Sequence, residues 1–400
     1  MSHMVSIAII AHEVSVPLYT HRSKEFSNRI YFLAKHYDEI HIFSHEKKKQ
    51  FIQKEPLVDE REPNIFIHRF SNNIFLSNIT LLNHFEQINT DLIFADTVDD
   101  GMRALLTRRH YSIPLVTFVQ GYEADLKAII VKRRLRMEPQ PGMLSRIFAL
   151  EDKILLKSSD KILCVSPGLV EYVKGLLPKT QWSKIEFIPH SLQYVKEIPK
   201  EAYNWADNFI DSINTTASQQ PVLITVVGSG LTKGTDIAIH THKYIVQKYP
   251  NSYMLIIGKH IDPKYIEMAQ KMGIQEKVLF LENLPREKVL ALLSRSTIFL
   301  SPSFSEGFSW AVAEAMALGV PVVTYANKSI GSAQKEGAVI AVETTDPKVY
   351  AEKCISLIRD EKKRLQLVER AKAYVEPLIN FSEYQRLELI RKVIDSVLKR

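Results

Sequence analysis

Cysteine is nearly missing from this chain of 400 residues, which carries only Cys164 and Cys354. Two thiols so far apart exclude a disulfide scaffold and any cysteine-built zinc or iron–sulfur site, and they fit a reducing compartment. Each lies in an apolar run, Ile-Leu-Cys-Val or Cys-Ile-Ser-Leu, where a packed thiol is expected. Glycine (14) and proline (18) are too few and too scattered for a collagen-like or low-complexity chain. No apolar run approaches the roughly 20 residues needed to cross a bilayer. The N-terminus has no charged region leading into a small-residue cleavage site. A cytoplasmic protein is the expectation, with Met1-Ser2-His3 read as a cloning remnant and the natural start at Met4. Charge of one sign is missing too: 52 Lys and Arg stand against 45 Asp and Glu, a net +7 shared by both halves. With neither a basic half nor a basic–aromatic module, a nucleic-acid binder is disfavoured.

What is present is a globular composition, 46% hydrophobic and 24% charged, at a length that implies two or three domains. Apolar runs at Val5–Ala11, Glu39–Phe43, Ile65–Phe70, Asp91–Ala95, Pro114–Val119 and Lys161–Val165 alternate with segments of helical length. This is the pattern of βαβ units and a parallel sheet. Residues 191–220 are polar and end in Thr-Thr-Ala-Ser-Gln-Gln-Pro, which reads as a linker. The alternation restarts at Val222–Val227 and continues through Tyr253–Ile257, Lys277–Leu281, Thr297–Leu300, Pro321–Thr324 and Val339–Val342. A helix at 382–398 closes the chain. The expected domains are therefore 4–195, a linker at 196–220, and 221–375, with the helix at about 380–400 packing back on the first. Ligands of doubly wound sheets bind beyond the C-terminal strand edges, so a cleft between the domains is the natural site.

The most informative segment is Ser-Glu-Gly-Phe-Ser-Trp-Ala-Val-Ala-Glu-Ala-Met-Ala-Leu-Gly-Val-Pro-Val-Val, from Ser305. A strand ends near Leu300, and a helix starts at Ser309, a good N-cap residue, and stops before Gly319. Free N–H groups and the dipole at that helix start form an anion site. Gly307 lets the backbone approach a ligand. Glu306 lies just before the anion site and Glu314 follows one to two turns in, so two carboxylates can reach two polar parts of one ligand. A second turn, Gly228-Ser-Gly-Leu-Thr-Lys-Gly, joins Gly228, Ser229 and Gly230 to Lys233 immediately before a helix. It suits a phosphate held by backbone N–H groups and a lysine.

Together these residues carry a resemblance. Glu306-x7-Glu314 with its Ala-x-Gly-x-Pro-Val-Val tail is similar to the signature of family 4 of the retaining glycosyltransferases, which have the GT-B fold. Lys233-Gly234, Leu255–Gly258, Val278–Leu284, Val165-Ser166 and Ile188-Pro189 follow in the family's order. The resemblance implies two Rossmann-like α/β domains facing each other across a cleft. It implies a hexosyl group moved with retention from a UDP- or GDP-type nucleotide sugar to a glycan or lipid-linked acceptor. In that frame Glu306 touches the donor sugar and Glu314 the ribose. Lys233 and the N–H groups of Phe308, Ser309 and Trp310 neutralise the diphosphate. The base lies between Gly258-Lys259 and Asn283-Leu284. Such enzymes generally need no metal or other cofactor, since lysine, arginine and a helix dipole stabilise the leaving group.

Three departures stand out. The loop 228–233 lacks the family's usual Arg, Gln120-Gly121 replaces a His-Gly, and no glycine-rich loop follows the first strand. Gln120 is still placed with the catalytic residues. His12, Tyr122 and Glu123 are expected on the acceptor side, with Asp125 beside them; His21 and His190 are as readily core or surface histidines. The run Lys127–Arg136 mixes five cations with Ile129, Ile130, Val131 and Leu135. It is expected to lie on an anionic inner leaflet as a peripheral membrane contact. Two other readings stay open: another GT-B reaction, such as nucleotide-sugar epimerisation or phosphorolysis, and a non-catalytic nucleotide-sugar-binding partner of a transferase.

Overall fold

A computed structural model describes residues 4–12, 14–15, 18, 24–46, 56–71, 73–134, 142–213 and 221–399. The chain divides into two compact units. The first comprises 1–124, 146–189 and 384–400, and the second 125–145 and 190–383.

The first unit is built on β1 (Ser6–His12), β2 (Glu39–Glu46), β3 (Leu57–Val58), β4 (Ile65–Ser71), β5 (Leu92–Ala95), β6 (Leu115–Val119), β7 (Lys161–Cys164) and β8 (Ile185–Phe187). They form one sheet in the order β3-β4-β2-β1-β5-β6-β7-β8, parallel except for β3 at the edge. Ile7, Ile9, Ile10, Ile93 and Phe94 are fully buried, as expected where helices cover both faces of a parallel sheet. The second unit holds β9 (Val222–Val227), β10 (Ser252–Gly258), β11 (Val278–Glu282), β12 (Ile298–Ser301), β13 (Val322–Tyr325) and β14 (Ile340–Val342). Their order is β11-β10-β9-β12-β13-β14, all parallel. Every strand expected from an apolar run is present. β3 and β8 are not foreshadowed, because two or three residues do not make a run. Cys164 and Cys354 are free and buried, and burial pushes both thiols up to about 12.

Two boundaries correct the sequence reading. The stretch 196–220 is not a bare linker, because it contains the helix Lys200–Ile213. Ala202, Ala206 and Ile210 recur every four residues and are buried with Leu223, Tyr253 and Leu255. The polar residues that suggest a linker are that helix's outer face; 214–220 lie outside the described residues. The second correction concerns the helix Glu123–Arg134. From Asp125 onward it belongs to the second unit. Ile129 is buried in that unit's core with Ile224, Ile237 and Phe304. Arg133 donates to both carboxylate oxygens of Asp236 at 2.7 and 2.8 Å and lies 5.1 Å from the centroid of the Phe304 ring. The basic run is thus partly engaged in the interior rather than offered as one free amphipathic face. Its last residues, Leu135 and Arg136, lie outside the described residues.

The C-terminal helix Glu383–Leu398 lies largely in the first unit. Arg386, fully buried, contacts Glu25 at 2.6 Å, and the Tyr37 hydroxyl donates to Asp395 at 2.8 Å.

β2 and β4 also bring together a buried histidine group. His41 Nδ1 and His68 Nε2 are 3.0 Å apart, His41 Nε2 is 3.2 Å from Glu39, Phe43 stacks on His68, and His84 meets it edge-on. Burial, reinforced by His41 and His84, pushes His68 down to about 3. His68 therefore stays neutral in the fold while the unfolded chain takes up a proton near pH 6.5. Stability conferred at neutral pH falls as pH drops from there toward 3. Chemical denaturation should show this histidine removing up to about 2 kcal/mol between pH 6.5 and 5, and the change should shrink in His68→Phe. An unchanged pH dependence in the variant would refute the assignment.

Candidate active site

In the second sheet the chain winds one way from β9 to β11 and the other way from β12 to β14. The loops after β9 and β12 therefore flank the switch point, where a doubly wound sheet opens a ligand crevice. These are the glycine-rich turn 228–234 and the segment 302–309. They are stitched together. Phe304 N–H donates to the Thr232 carbonyl at 3.0 Å, and Ser303 Oγ donates to the same carbonyl at 3.4 Å. Gly234 adopts φ +66°, and a Cβ there would stand 2.4 Å from the Pro302 carbonyl oxygen. Only glycine permits that approach. The stitch places Lys233 in an ion pair with Glu306, whose Oε1 also accepts from Ser303 Oγ at 2.8 Å.

The second carboxylate is held differently. Glu314 lies in the helix Trp310–Ala317 and is 6% exposed. Its Oε1 accepts from the Tyr194 hydroxyl at 2.7 Å and from Arg286 Nη2 at 2.6 Å. Arg286 also donates to the Tyr194 oxygen at 2.6 Å, and its guanidinium lies 4.0 Å from the centroid of the Tyr194 ring. Burial and the charge of Glu314 push the Tyr194 phenol up, so it acts as a donor. Every bond to Glu306 and to Glu314 lands on Oε1, so among the described residues each Oε2 has no protein donor. Two carboxylates fixed on one oxygen and open on the other are suited to accept hydroxyl groups.

A cavity of about 400 Å³ joins these groups. Of the residues expected at a donor site, Gly228, Lys233, Leu284, Glu306, Phe308, Ser309, Trp310 and Glu314 line it. Ser229, Gly230, Lys259, Asn283 and Gly307 lie in the adjoining loops and Gly258 ends β10, none of them lining it. Lys259 is exposed, and Asn283 takes φ +53° with its N–H on the Gly258 carbonyl at 3.0 Å. The buried Ser229 hydroxyl has no partner among the described residues. Ser309 is at the N-cap position, but its hydroxyl pairs with Ser329 at 2.9 Å rather than capping the helix. His190 is buried, its ring 4.3 Å from that of Trp310. Sequence reasoning missed Arg286 and Tyr194. Arg286 opens a helix directly after Pro285, and Tyr194 lies in a 3-10 turn, Gln193–Glu197, so neither belongs to a motif.

Residues 207–374 match the family described as Glycosyl transferases group 1, and residues 30–192 match Glycosyltransferase Family 4. The chain belongs to the group 1 glycosyltransferases. The glycosyltransferase is 23% identical over 327 residues to Uncharacterized glycosyltransferase YqgM of Bacillus subtilis, covering 80% of this chain and 84% of that one. It is 29% identical over 158 residues to D-inositol 3-phosphate glycosyltransferase of Corynebacterium efficiens, covering 38% of this chain and 37% of the relative. Sucrose-phosphate synthase from Thermosynechococcus elongatus superposes with a TM-score of 0.71 at 17% identity, covering 98% of this chain and 100% of that one. Anabaena Alr3699/HepE, in complex with UDP and glucose, does so with a TM-score of 0.66 at 13% identity, covering 98% and 100%. The two-domain α/β architecture of the glycosyltransferase is accordingly GT-B.

In the first unit of this glycosyltransferase, His12 and Gln120 line a separate cavity of about 210 Å³ with Arg29, Asp96 and Thr97. Gln120 Nε2 donates to the Asp96 carbonyl at 2.8 Å, while the Asp96 carboxylate pairs with the buried Arg29. Behind it, burial and the Asp96 charge push Asp100 up to about 8. The other three residues expected on the acceptor side have partners within the fold. Tyr122 is 3% exposed and packs on Tyr172, so it is a core residue. Glu123 accepts the Asp99 N–H at 3.1 Å. Asp125 is buried on Lys328 at 2.6 Å. His21 lies outside the described residues.

Glycine at 234 is demanded twice, by φ and by Pro302; at 230, with φ +134° and open space, it is demanded once. Gly234→Ala should therefore lower the unfolding free energy by more than the ~1–3 kcal/mol of backbone strain alone, and by more than Gly230→Ala. Denaturant titration of both variants checks the order, and equal losses would mean the Pro302 contact is not tight.

Proposed function

We propose that this chain is a retaining hexosyltransferase that takes its sugar from a nucleotide-sugar donor bound in the second unit. The observation that carries the reading is the pair of half-satisfied carboxylates, Glu306 and Glu314, lining one cavity with Lys233 and the start of the helix Trp310–Ala317. Lys233 and the backbone N–H groups at that helix start would take up the negative charge on the leaving diphosphate. Oε2 of Glu306 would accept a sugar hydroxyl, and Oε2 of Glu314 the ribose hydroxyls. Arg286 gives the cavity a second cation, which the loop 228–234 lacks. No step in this scheme needs a metal, since the fixed cations and dipole serve the leaving group. A uridine-type donor is favoured because the structurally similar HepE is in complex with UDP and glucose. The acceptor is read as a hydroxyl of a glycan or a lipid-linked glycan precursor.

Steady-state kinetics with a nucleotide sugar tests this. Glu306→Gln should lower kcat mainly, since its contact would strengthen as charge develops at the sugar. Glu314→Ala should raise the donor KM roughly ten- to a hundredfold, the loss of ~1.5–3 kcal/mol from charge-assisted hydrogen bonds. A chelator should leave the rate unchanged, and NMR of the product should show the donor's anomeric configuration. Near-normal kinetics in both variants would remove the cavity as the site. Donor conversion without any acceptor would make the chain an epimerase, and nucleotide binding without turnover would make it a binding partner.

A further inference from the structure

The helix Gly142–Ser158 has two apolar faces, and only one is covered. At 100° per residue, Ser145, Asp152, Leu155 and Leu156 share the side that is buried. Met143, Ile147, Leu150 and Ile154 follow at steps of four, three and four on the opposite side, and are 77%, 51%, 58% and 52% exposed. A surface helix normally turns polar residues outward, and a contiguous exposed apolar row marks a contact surface. Three further residues identify the contact. Arg146, Lys153 and Lys157, all exposed, lie along one flank of the row, and their side chains have no hydrogen bond or ion pair among the described residues. The one exposed acid of the helix, Glu151, lies on the other flank.

We propose that this helix rests on an anionic lipid surface. Its aliphatic row would enter the boundary between headgroups and acyl chains, while the three long cationic side chains reach sideways to lipid phosphates. The composition favours lipid over protein. The row is wholly aliphatic, without the Tyr, Trp or central Arg that anchor protein interfaces. One helix face of three turns is also well short of the roughly 800 Å² per partner that a stable dimer needs. The charge suits a negatively charged leaflet, where each cation near the surface strengthens binding severalfold. This surface is distinct from the run Lys127–Arg136, and the inference does not depend on which sugar is transferred.

Flotation of the full chain with phosphatidylcholine vesicles, with and without phosphatidylglycerol, tests it. The chain should float with the anionic vesicles, much less with the neutral ones, and less as salt rises. Ile147→Ser/Leu150→Ser/Ile154→Ser should lower the bound fraction roughly tenfold or more, and Arg146→Ser/Lys153→Ser/Lys157→Ser should bring anionic binding down to the neutral level. All six positions are exposed, so thermal melts should confirm intact folding, and Lys132→Ser/Arg134→Ser should bind as the parent does. Absence of flotation, or flotation that neither triple variant reduces, overturns the proposal. A dimer in light scattering that the serine variant dissolves, without vesicle binding, would assign the row to a second copy of the chain.

Discussion

The close passage of Gly234 against the Pro302 carbonyl is the constraint on which the second unit's site depends. Two loops from adjacent strands meet there because the sheet reverses its winding between β9 and β12. Nothing larger than a hydrogen fits between them. That contact fixes the distance from Lys233 to Glu306, and hydrogen bonds through Thr232, Ser303 and Phe304 hold it. A cation and a carboxylate at a cavity wall would otherwise wander on flexible side chains. Here both are carried on backbone that cannot drift apart without breaking the stitch.

The other carboxylate depends on a different device. Glu314 is deep in a helix, where a lone charge is costly. Tyr194 and Arg286 satisfy one of its oxygens, and the aromatic ring under the guanidinium limits where Arg286 can go. Both glutamates therefore present a single prepared oxygen, one held by a loop stitch and the other by side chains from two distant segments.

Much of this was legible in the sequence, for physical reasons. Buried parallel strands are apolar runs, so β1, β9 and β10 announce themselves. Glu306, Glu314 and Lys233 sit in local motifs whose spacing reflects one turn and one helix. What was illegible depended on partners far along the chain. Arg286 and Tyr194 have no motif and acquire meaning only against Glu314. The helix Lys200–Ile213 looks like a linker until Leu223 and Tyr253 cover its alanines. The run Lys127–Arg136 looks like a surface until Ile129 enters the second core and Arg133 finds Asp236. Tyr122 looked like a rim residue only because it follows a strand end, and Tyr172 covers it.

The return of the last helix to the first unit bears on how the protein is made. Glu25 and its buried partner Arg386 are separated by roughly 360 residues of chain. At ~5–20 residues per second a ribosome takes about 20–70 s to cover that interval. By its end residue 383 has been made and the second unit can close, whereas the first unit still lacks its last helix. The domain begun first is the domain finished last. In the cell, the nascent chain carries the open flank of its first unit until residues 384–400 have been made.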